Sequence, residues 1–494
     1  MLDESRSDQQ ARFYLFAWVH ALPISVNRLL QPKVVDLVGI INSLISEAKG
    51  GREIRARRRF FGLILAFCVL GSLLPRVSIA KDVYLAVRQD GQRGSGSVQD
   101  PFDAGTAAKY DAILARFREG TNFFYSPGIY ETSGGRYRTR PTANPHCRHF
   151  GAGVDRTIIR LIGASHPTEE GTIFYADYDA TADGFELHDL TLDCNAPGNP
   201  KFRDGLGAIG AINVVGNNIL FSNLRIEHFG TGKRGVECFP VSCYAGVGHA
   251  GGQYENIRLE NSVFAEPAMG NKDGLSCAVI AASTSARLDG AIVNCRFINV
   301  KSDFTYSHAF AAPLCEGNEV IGCDTGFYLE PDDRQFGTWI IRKNRFRDIV
   351  VAAMVNWHPE GALNTIQFEH NDVVLRGDPQ RFSVALAADD SGLKSGDRRP
   401  TIQKVIFRNN RISLAESSKN QLTRTAGLLL VSLEARYSVD ELVLEDNIFS
   451  LPPSREMIIS PLSVVRSLIQ HGNVNANKAE VRVRDEHGNS VNSL

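Results

Sequence analysis

The 494-residue sequence lacks an excess of either charge. Its 54 Lys and Arg residues nearly balance 55 Asp and Glu residues, which gives a formal net charge of −1. A nucleic-acid-binding domain normally carries a basic excess, so we expect no nucleic-acid partner. Methionine is scarce, with 4 residues, whereas glycine is frequent, with 44 residues. Long amphipathic helical patterns are also few after residue 120, and this balance favours a turn-rich β protein.

Motifs of several common enzyme classes are missing as well. The sequence contains no C-x-x-C or H-E-x-x-H metal motif, no P-loop and no G-x-S-x-G nucleophile turn. Nucleotide chemistry and a serine hydrolase are therefore disfavoured, and no metal site is predicted from such a motif.

A basic and apolar stretch before residue 80 is the strongest targeting signal. Five arginines between Arg52 and Arg59 precede an apolar run from Phe60 to Leu74, and small residues follow up to Ala80. This pattern predicts a signal peptide or signal anchor over 60–80, with cleavage after Ala80 favoured, because the run is short for a membrane span. We expect a secreted, periplasmic or cell-surface protein, attached to a membrane only if the anchor stays uncleaved.

The residues before this signal do not belong to its pattern. Signal peptides start near the first residue, whereas residues 1–59 form an N-terminal extension that an over-extended gene model would explain. We exclude it from reasoning about the fold.

Nine cysteines leave eight once Cys68 of the apolar run is set aside. Cys238 and Cys243 are close enough in sequence to bridge across a loop. Cys295 and Cys323 hold equivalent repeat positions, so they are expected to stack within reach of a disulfide. Buried free thiols are the alternative.

The stretches 366–375, 405–414 and 442–451 repeat one pattern, in which apolar alternation flanks a central Asn. The steps between the residues that close each such motif range from 21 residues (Thr325 to Phe346) to 39 (Val373 to Ile412). Such steps, with period-2 alternation between them, predict stacked β coils. The aligned closing residues are Leu192, Ile226, Phe264, Phe297, Thr325, Phe346, Val373, Ile412 and Phe449.

Two other repeat architectures fit the sequence less well. A helical solenoid needs amphipathic stretches of about 10–15 residues, which the repeats lack, and a propeller needs four strands per blade. We therefore predict an all-β, single-stranded parallel β-helix of the usual right hand. Each Asn lies where the chain turns, because Asn tolerates the left-handed conformation and can hydrogen-bond along a ladder of equivalents.

Open ends of such a stack need a cover. An amphipathic helix, capped by Thr106 or Asp103, is predicted as an N-terminal α-helical cap. Its apolar positions are Tyr110, Ile113, Leu114 and Phe117. The predicted organisation is a cap with first strands over 81–150, a β-helix over 151–470 and a C-terminal strand or tail over 471–494.

The first predicted strands carry a resemblance to a known family. The run "DPFDAGTAAKYDAILARF", then "FFYSPGIYET", "HFGAGVDRTIIRL" and "FELHDLTLDCN", resembles the opening of secreted proteins of the pectate-lyase-like superfamily. Together with the repeats, the resemblance covers roughly 82–470. It implies a right-handed parallel β-helix and a polysaccharide partner. The catalytic signatures of pectate lyases, polygalacturonases and alginate epimerases are absent, so no catalytic residue is carried over.

A second apolar strand follows each closing residue, and several of these strands end in acidic residues. Stacked in register, the ends would form one acidic ridge, whose predicted catalytic residues are Glu330, Asp332, Asp333, His308 and His358. Carboxylates on neighbouring coils would lie about 5 Å apart and those two coils apart about 10 Å, near the separations of retaining and inverting glycosidases. One crowded carboxyl would hold its proton and act as the acid.

Further residues near this ridge are predicted to bind substrate. Trp357 offers a stacking platform, and the others supply charge and hydrogen bonds: Tyr306, Arg334, Asp303, Asp389 and Asp390. The ridge could also hold Ca²⁺, which prefers carboxylate oxygens, although no cofactor is required. The alternative is a solvated rim of polar turns.

These patterns favour a secreted, monomeric, polysaccharide-active protein. A glycoside hydrolase with paired carboxylates stands first. A polysaccharide lyase or epimerase of the same fold, and a non-catalytic carbohydrate-binding scaffold, are the alternatives.

Overall fold

Short strands that stack coil upon coil make up most of the chain that the computed structural model describes. The described ranges are 81–135, 142–163, 171–176, 181–199, 208–231, 238–243, 253–268, 281–282, 287–300, 314–329, 335–356, 362–377, 382–389, 400–416, 424–431, 437–451, 457–460 and 465–484. They belong to one compact unit, Ile79–Leu494. Within these ranges, no helix has both the length and the apolar character to cross a membrane.

The described regular elements are one ten-residue helix, α1 (Ala107–Arg116), a 3₁₀ turn at Ala196–Gly198, and short strands. In chain order the strands are β1 (Lys81–Ala86), β2 (Phe102–Asp103), β3 (Thr121–Tyr125), β4 (Gly128–Thr132), β5 (Arg148–Phe150), β6 (Thr157–Leu161), β7 (Gly171–Tyr175), β8 (Glu186–Asp193), β9 (Ala208–Asn213), β10 (Ile219–Glu227), β11 (Gly230–Thr231), β12 (Val241–Cys243), β13 (Gln253–Glu260), β14 (Val263–Ala265), β15 (Ala281–Ala282), β16 (Arg287–Val293), β17 (Arg296–Ile298), β18 (Leu314–Glu316), β19 (Glu319–Ile321), β20 (Thr325–Leu329), β21 (Gln335–Arg342), β22 (Arg345–Ile349), β23 (Val351–Asn356), β24 (Ala362–Glu369), β25 (Asp372–Leu375), β26 (Phe382–Asp389), β27 (Thr401–Arg408), β28 (Arg411–Leu414), β29 (Arg424–Val431), β30 (Ser438–Glu445), β31 (Ile448–Ser450), β32 (Met457–Ser460), β33 (Leu468–His471) and β34 (Val474–Asn475).

Each complete coil presents three faces. The first face stacks β18, β21, β24, β27, β30 and β33, and a two-residue bend leads to the second face, which stacks β19, β22, β25, β28, β31 and β34. The third face stacks β20, β23, β26, β29 and β32. All of these pairings are parallel, and earlier coils continue the pattern, with β7, β9, β12 and β15 on the third face. The chain is therefore a right-handed parallel β-helix, as predicted.

The predicted alignment of closing residues is confirmed except in one coil. Phe297 pairs with Val320, and Val320 pairs in turn with Phe346. Thr325 instead opens β20 on the third face. The step from Phe297 to Val320 is only 23 residues, and the short strand β19 closes on no large side chain. The sequence alignment therefore chose Thr325, five residues after the true closing residue Val320.

An asparagine ladder joins the bends between the first and second faces. In each coil but the last of the ladder, the backbone N–H and the Nδ2 group both donate to the Oδ1 atom of the next Asn, over 2.8 to 3.3 Å. Nδ2 also donates to a backbone carbonyl, over 2.8 to 3.0 Å. The buried amides thus satisfy one another. The ladder consists of Asn318, Asn344, Asn371, Asn410, Asn447 and Asn473.

The residue before each ladder Asn has a left-handed backbone. Lys343, His370 and Asn409 have φ of 57°, 55° and 55°, and Gly317 and Gly472 take the same place with φ of 71° and 66°. This conformation turns the chain sharply and favours Gly and Asn. The prediction combined the turn and the ladder in one Asn, whereas the structure divides them between two adjacent residues.

Cys295 and Cys323 do not stack on each other. The Cys295 N–H donates to Asn318 Oδ1 over 2.8 Å, so Cys295 lies at the ladder position, whereas Cys323 follows β19 on the second face. The expected stacking was wrong because it rested on the Thr325 alignment. Both thiols are free and buried. The buried Cys238 thiol donates to the Ile209 carbonyl over 3.3 Å and does not form the expected bridge to Cys243.

The predicted N-terminal helix is confirmed as α1. Thr106 caps it, since its Oγ1 accepts from the Lys109 N–H over 3.4 Å and its backbone is extended, with φ −139° and ψ 155°. Tyr110 is fully buried, and its ring centroid lies 6.2 and 6.1 Å from those of Tyr125 and Tyr130. Leu114 is also buried. The apolar side of α1 therefore packs onto the first coils.

A charge row runs along the outer side of the first face, beside the asparagine ladder. Arg342 pairs with Glu316 at 2.8 Å, Arg408 with Glu369 at 2.9 Å, and His471 with Glu445 at 3.0 Å. Exposed pairs contribute little each, but the alternation avoids like charges on neighbouring strands. The register partners in this row are Glu316, Arg342, Glu369, Arg408, Glu445 and His471.

Candidate functional site

The third-face strands that lead into the predicted acidic ridge are adjacent and end together. Leu329 of β20 pairs with Val355 of β23, and Val355 pairs with Ala388 of β26. One residue further on, Asn356 pairs with Asp389. Because the strands are parallel, their carboxyl ends share one edge of the sheet.

The predicted site residues themselves fall almost entirely beyond the described chain. Asp389 ends β26, and its backbone pairs with that of Asn356. The others lie outside the described residues: Glu330, Asp332, Asp333, Arg334, His308, Tyr306, Asp303, Trp357, His358 and Asp390. Their convergence in one cleft therefore stays a prediction.

The third-face strands are apolar on both sides. Leu329, Val355 and Ala388 belong to the main core. Their neighbours form a second, separate apolar cluster, which contains Val384, Ala387, Ala426 and Leu429 with Val351 and Met354 packed against it. The described side chains in the bodies of β23, β26 and β29 include no charged group. Polar chemistry on this part of the third face must therefore come from strand ends and connections.

A charged cluster that the sequence analysis did not single out lies at the ends of β8 and β10. The Asp193 side chain is 4% exposed and accepts a hydrogen bond from Arg160 Nε over 2.7 Å. His228 Nδ1 lies 2.9 Å from the second oxygen of Asp193. The opposite ring nitrogen, Nε2, lies 3.3 Å from Glu266. Glu227 Oε1 approaches His228 Nδ1 to 4.0 Å.

Backbone geometry places these groups together. Asp193 and Glu227 are register partners at the carboxyl ends of β8 and β10. His228 and Glu266 both have a left-handed backbone, with φ of 53°, and the His228 N–H donates to the Glu266 carbonyl over 3.1 Å. Arg225 bridges the acids from the other side, contacting Glu227 and donating to Glu266 over 2.7 Å.

The electrostatics of this cluster favour a charged imidazole. Partial burial of His228 lowers its pKa, but the hydrogen bond to Asp193 and the charges of Asp193, Glu227 and Glu266 outweigh burial and leave the pKa above its ordinary value. Asp193, Glu227 and His228 also offer ligand atoms within 4.8 Å of one another, so a metal ion could replace the proton. As the structure has them, these groups form an ion-paired network.

A sequence signal for this cluster exists but is weak. Asp193 and Glu227 each follow a closing residue, Leu192 and Ile226, at the same offset. Only the register between coils, and the turn that brings Glu266 beside His228, reveal that these charges touch.

Comparisons with known proteins agree with the observed coil geometry. No protein-family model and no curated protein matches the chain. It is similar to PfbA, a surface adhesin of Streptococcus pneumoniae, with 12% identity and a TM-score of 0.51 over 82% of this chain and 94% of that one.

Two enzymes give lower scores. The A-module of the Azotobacter vinelandii mannuronan C-5 epimerase AlgE6 has 13% identity and a TM-score of 0.42, over 75% of this chain and 94% of that one. A hyperthermoactive exopolygalacturonase from Thermotoga maritima has 10% identity and a TM-score of 0.41, over 84% and 94%. At these identities a similarity shows the fold alone. The parallel register of the three faces and the similarity to PfbA together identify the chain as a right-handed parallel β-helix protein.

Proposed function

We propose that the chain is an exported protein that binds a polysaccharide along its third face and hydrolyses it with carboxylates at the ends of the third-face strands. The observation that carries this proposal is the register of β20, β23 and β26. These three neighbouring strands end side by side, directly before segments 330–334, 357–361 and 390–399, where the acidic residues are concentrated.

The spacing of stacked coils supports a hydrolytic reaction. Strands on neighbouring coils lie about 4.8 Å apart, so carboxylates at equivalent positions approach the retaining separation of about 5–5.5 Å. Carboxylates on every second coil come close to the inverting range. In this proposal Glu330, Asp332 and Asp333, which all follow β20, supply one member of the catalytic pair, and a carboxylate of the segment after β23 or β26 supplies the other. Crowding raises the pKa of one carboxyl so that it keeps its proton.

The remaining predicted residues would bind and orient the sugar. His308 and His358 would assist proton transfer, and Trp357 would stack on a sugar ring. Calcium would be an optional ligand of the same carboxylates. The choice of a polysaccharide rests on the resemblance of the first coils to the pectate-lyase-like superfamily.

A non-catalytic scaffold for binding carbohydrate at the cell surface is the second candidate. The comparison with PfbA favours it, because that protein is a surface adhesin and the similarity covers 94% of it. The described side chains in the bodies of the third-face strands β23, β26 and β29 include no charged group, which is compatible with a surface that binds a polysaccharide without cleaving it.

The test is a screen of the full chain on a panel of neutral and acidic polysaccharides, with calcium or with a chelator. New reducing ends and absorbance at 235 nm would be measured for the natural chain and for the Asp332→Asn/Asp333→Asn variant. Glu480→Gln, which changes an exposed carboxylate near the carboxyl end, is the matched control.

Reducing ends that appear without absorbance, and that fall at least 100-fold in the double variant but not in the control, support the hydrolase. Absorbance at 235 nm would instead identify a lyase, and a changed sugar composition without cleavage an epimerase. Binding without any product would favour the scaffold.

A further inference from the structure

A pocket of about 460 Å³ lies beside α1, between the helix and the segment from Gly91 to Asp103. This volume lies within the usual range of small-molecule sites. The pocket is far along the chain from the third-face segments of the proposed function. Its lining residues are Gly91, Arg93, Phe102, Asp103, Ala108, Lys109, Ala112, Ile113, Arg116 and Phe117.

The wall of the pocket is apolar and aromatic. The rings of Phe102 and Phe117 lie 5.6 Å apart at an angle of 32°, and each residue retains 8% exposure. Ala112 and Ile113 extend this wall along the helix. Such a wall suits a ring with a non-polar side, because sugar rings pack their C–H groups against aromatic and aliphatic surfaces.

The charges around the pocket do not cancel. Lys109 pairs with the buried Asp103 at 2.5 Å, so these two neutralise each other. Arg93 and Arg116 have no carboxylate partner among the described residues. The Arg116 guanidinium lies over the Phe117 ring at 5.0 Å and the Phe102 ring at 5.8 Å. The pocket thus keeps two unpaired positive charges beside an aromatic wall.

A third arginine on this segment is paired with carboxylates, in contrast to Arg93 and Arg116. Arg88, on the same segment of chain, donates to Asp90 and to Asp100, each over 2.5 Å. Carboxylates are therefore present close by in sequence, yet none of them reaches Arg93 or Arg116. A guanidinium group binds a carboxylate through two parallel hydrogen bonds, and an external anion would complete both arginines.

We propose that this pocket binds an acidic sugar unit, with its carboxylate between Arg93 and Arg116 and its ring against the helix wall of Ala112 and Ile113. A small inorganic anion would satisfy the charges but would leave the apolar wall and most of the volume unused. The site is separate from the proposed catalytic edge. It would hold the chain on an anionic polysaccharide whether or not the third face cleaves it.

The test is calorimetric titration of the full chain with D-glucuronate, with D-glucose as the neutral counterpart. Ala112→Glu places a carboxylate inside the pocket at an exposed helix position, and Arg93→Ala removes one cation. Ala115→Glu, on the exposed side of the same helix and outside the lining, is the matched control. We expect the Kd for glucuronate to rise at least tenfold in the first two variants and to stay within twofold in the control.

Several results would overturn the proposal. Glucuronate without measurable binding, glucose that binds as tightly, or equal losses in Ala112→Glu and Ala115→Glu would each do so. Sulfate that binds as tightly as glucuronate would reveal a simple anion site instead. The Asp332→Asn/Asp333→Asn variant should still bind glucuronate in the pocket, so the failure of this site and the failure of the proposed function are distinguishable.

Discussion

At the scale of single residues, His149 is a titratable group enclosed in the core of the first coils. Its side chain is fully buried and stacks on Phe123 at 4.7 Å. Nδ1 lies 2.7 Å from the Tyr125 hydroxyl, which in turn contacts the Tyr110 hydroxyl at 3.0 Å. Burial, with a smaller effect of His188, lowers the pKa of His149 to about 3. The imidazole is therefore neutral in the folded protein.

We predict that His149 makes the fold sensitive to acid. The imidazole of the unfolded chain binds a proton below about pH 6.5, whereas that of the folded chain does so only near pH 3. The free energy of unfolding therefore falls by about 1.4 kcal/mol for each pH unit as the pH drops between these values. His149→Leu should remove this loss, since Leu187 lies at the partner position in the next coil. The measurement is the free energy of unfolding in urea from pH 7.5 to 4.5 for both proteins.

The expected result is a difference that grows in favour of the Leu variant as the pH falls. At pH 7.5 the variant should be less stable by about 1 kcal/mol, because it loses the hydrogen bond to Tyr125. Parallel curves across the whole range would show that His149 titrates normally.

His228 should respond to pH in the opposite direction. Its raised pKa means that the charged form stabilises the fold fully below about pH 6.5, and that this contribution is lost as the pH rises through the folded pKa. His228→Asn keeps a residue that tolerates φ of 53°, as Asn299 does at the equivalent turn with 54°. Because the imidazole is 38% exposed, we expect a difference of only a few tenths of a kcal/mol.

Unfolding of this variant at pH 5.5 and 8.5, in low and high salt, checks the prediction. The natural chain should exceed the variant in stability more at pH 5.5, and 0.5 M salt should shrink the gap. A larger gap at pH 8.5 would contradict the assigned direction.

The sequence could not separate these two histidines. Both follow a charged residue and precede Phe, in "RHF" and "EHF". One lies inside the coil and the other at a turn, because the strand β5 alternates inward and outward while β10 ends before His228. That distinction depends on register, which the local pattern does not contain.

At the scale of elements, the asparagine ladder holds neighbouring coils at one register. Asn371 accepts from the N–H and Nδ2 of Asn344, over 3.0 and 3.1 Å, and donates to the Ile341 carbonyl over 2.9 Å. Loss of its side chain leaves these buried groups without partners. We predict that Asn371→Ala lowers the free energy of unfolding by about 2–5 kcal/mol, measured by chemical unfolding.

Asn409→Gly is the matched control for this change. Asn409 lies at a bend next to the ladder, and Gly317 and Gly472 already occupy the same place in other coils. We expect Asn409→Gly to lower the free energy of unfolding by less than about 1 kcal/mol. Equal losses in the two variants would mean that the bend, and not the ladder, sets the stability.

The sequence predicted the stacked coils well, because each coil repeats the local pattern of the one before it. The closing residues, the bends and the capping helix could all be read from apolar spacing and Asn or Gly positions. Coil 297–320 is the exception, since its strands of three residues are too short to show alternation. The acidic ridge is a different case, because it depends on how the connections between strands fold, and strand patterns carry no information about them.

At the scale of the whole molecule, one continuous core extends from Val83 to Val483 without disulfides among the described residues. Six cysteines are buried as thiols, and burial raises the pKa of Cys147 to about 11 and those of Cys295, Cys315 and Cys323 to about 12. Protonated, enclosed thiols react slowly.

We therefore predict that at most three of the nine cysteines react quickly with a thiol reagent in the native protein, since nine minus six leaves Cys68, Cys243 and Cys277. At least six further thiols should become reactive only in denaturant, without any reductant. Absorbance of the released chromophore measures this. Fast reaction of more than three thiols in the native state, or fewer than six released by unfolding, would contradict the prediction.

The asparagine ladder also has a direction. From Asn318 to Asn447, the backbone N–H and Nδ2 of each Asn donate to the Oδ1 atom of the Asn in the coil that follows. Nδ2 also donates to a backbone carbonyl of the coil that precedes, so each rung presents different contacts above and below. If a coil such as 371–409 were duplicated or excised, the rungs at the new junction would still match. The charge row would not match, because Glu369 would meet Glu445 after excision, so two adjacent coils form the interchangeable module. An inserted coil of reversed orientation would place donor against donor. We therefore expect that the stack can be lengthened or shortened by pairs of coils while both of its ends stay unchanged.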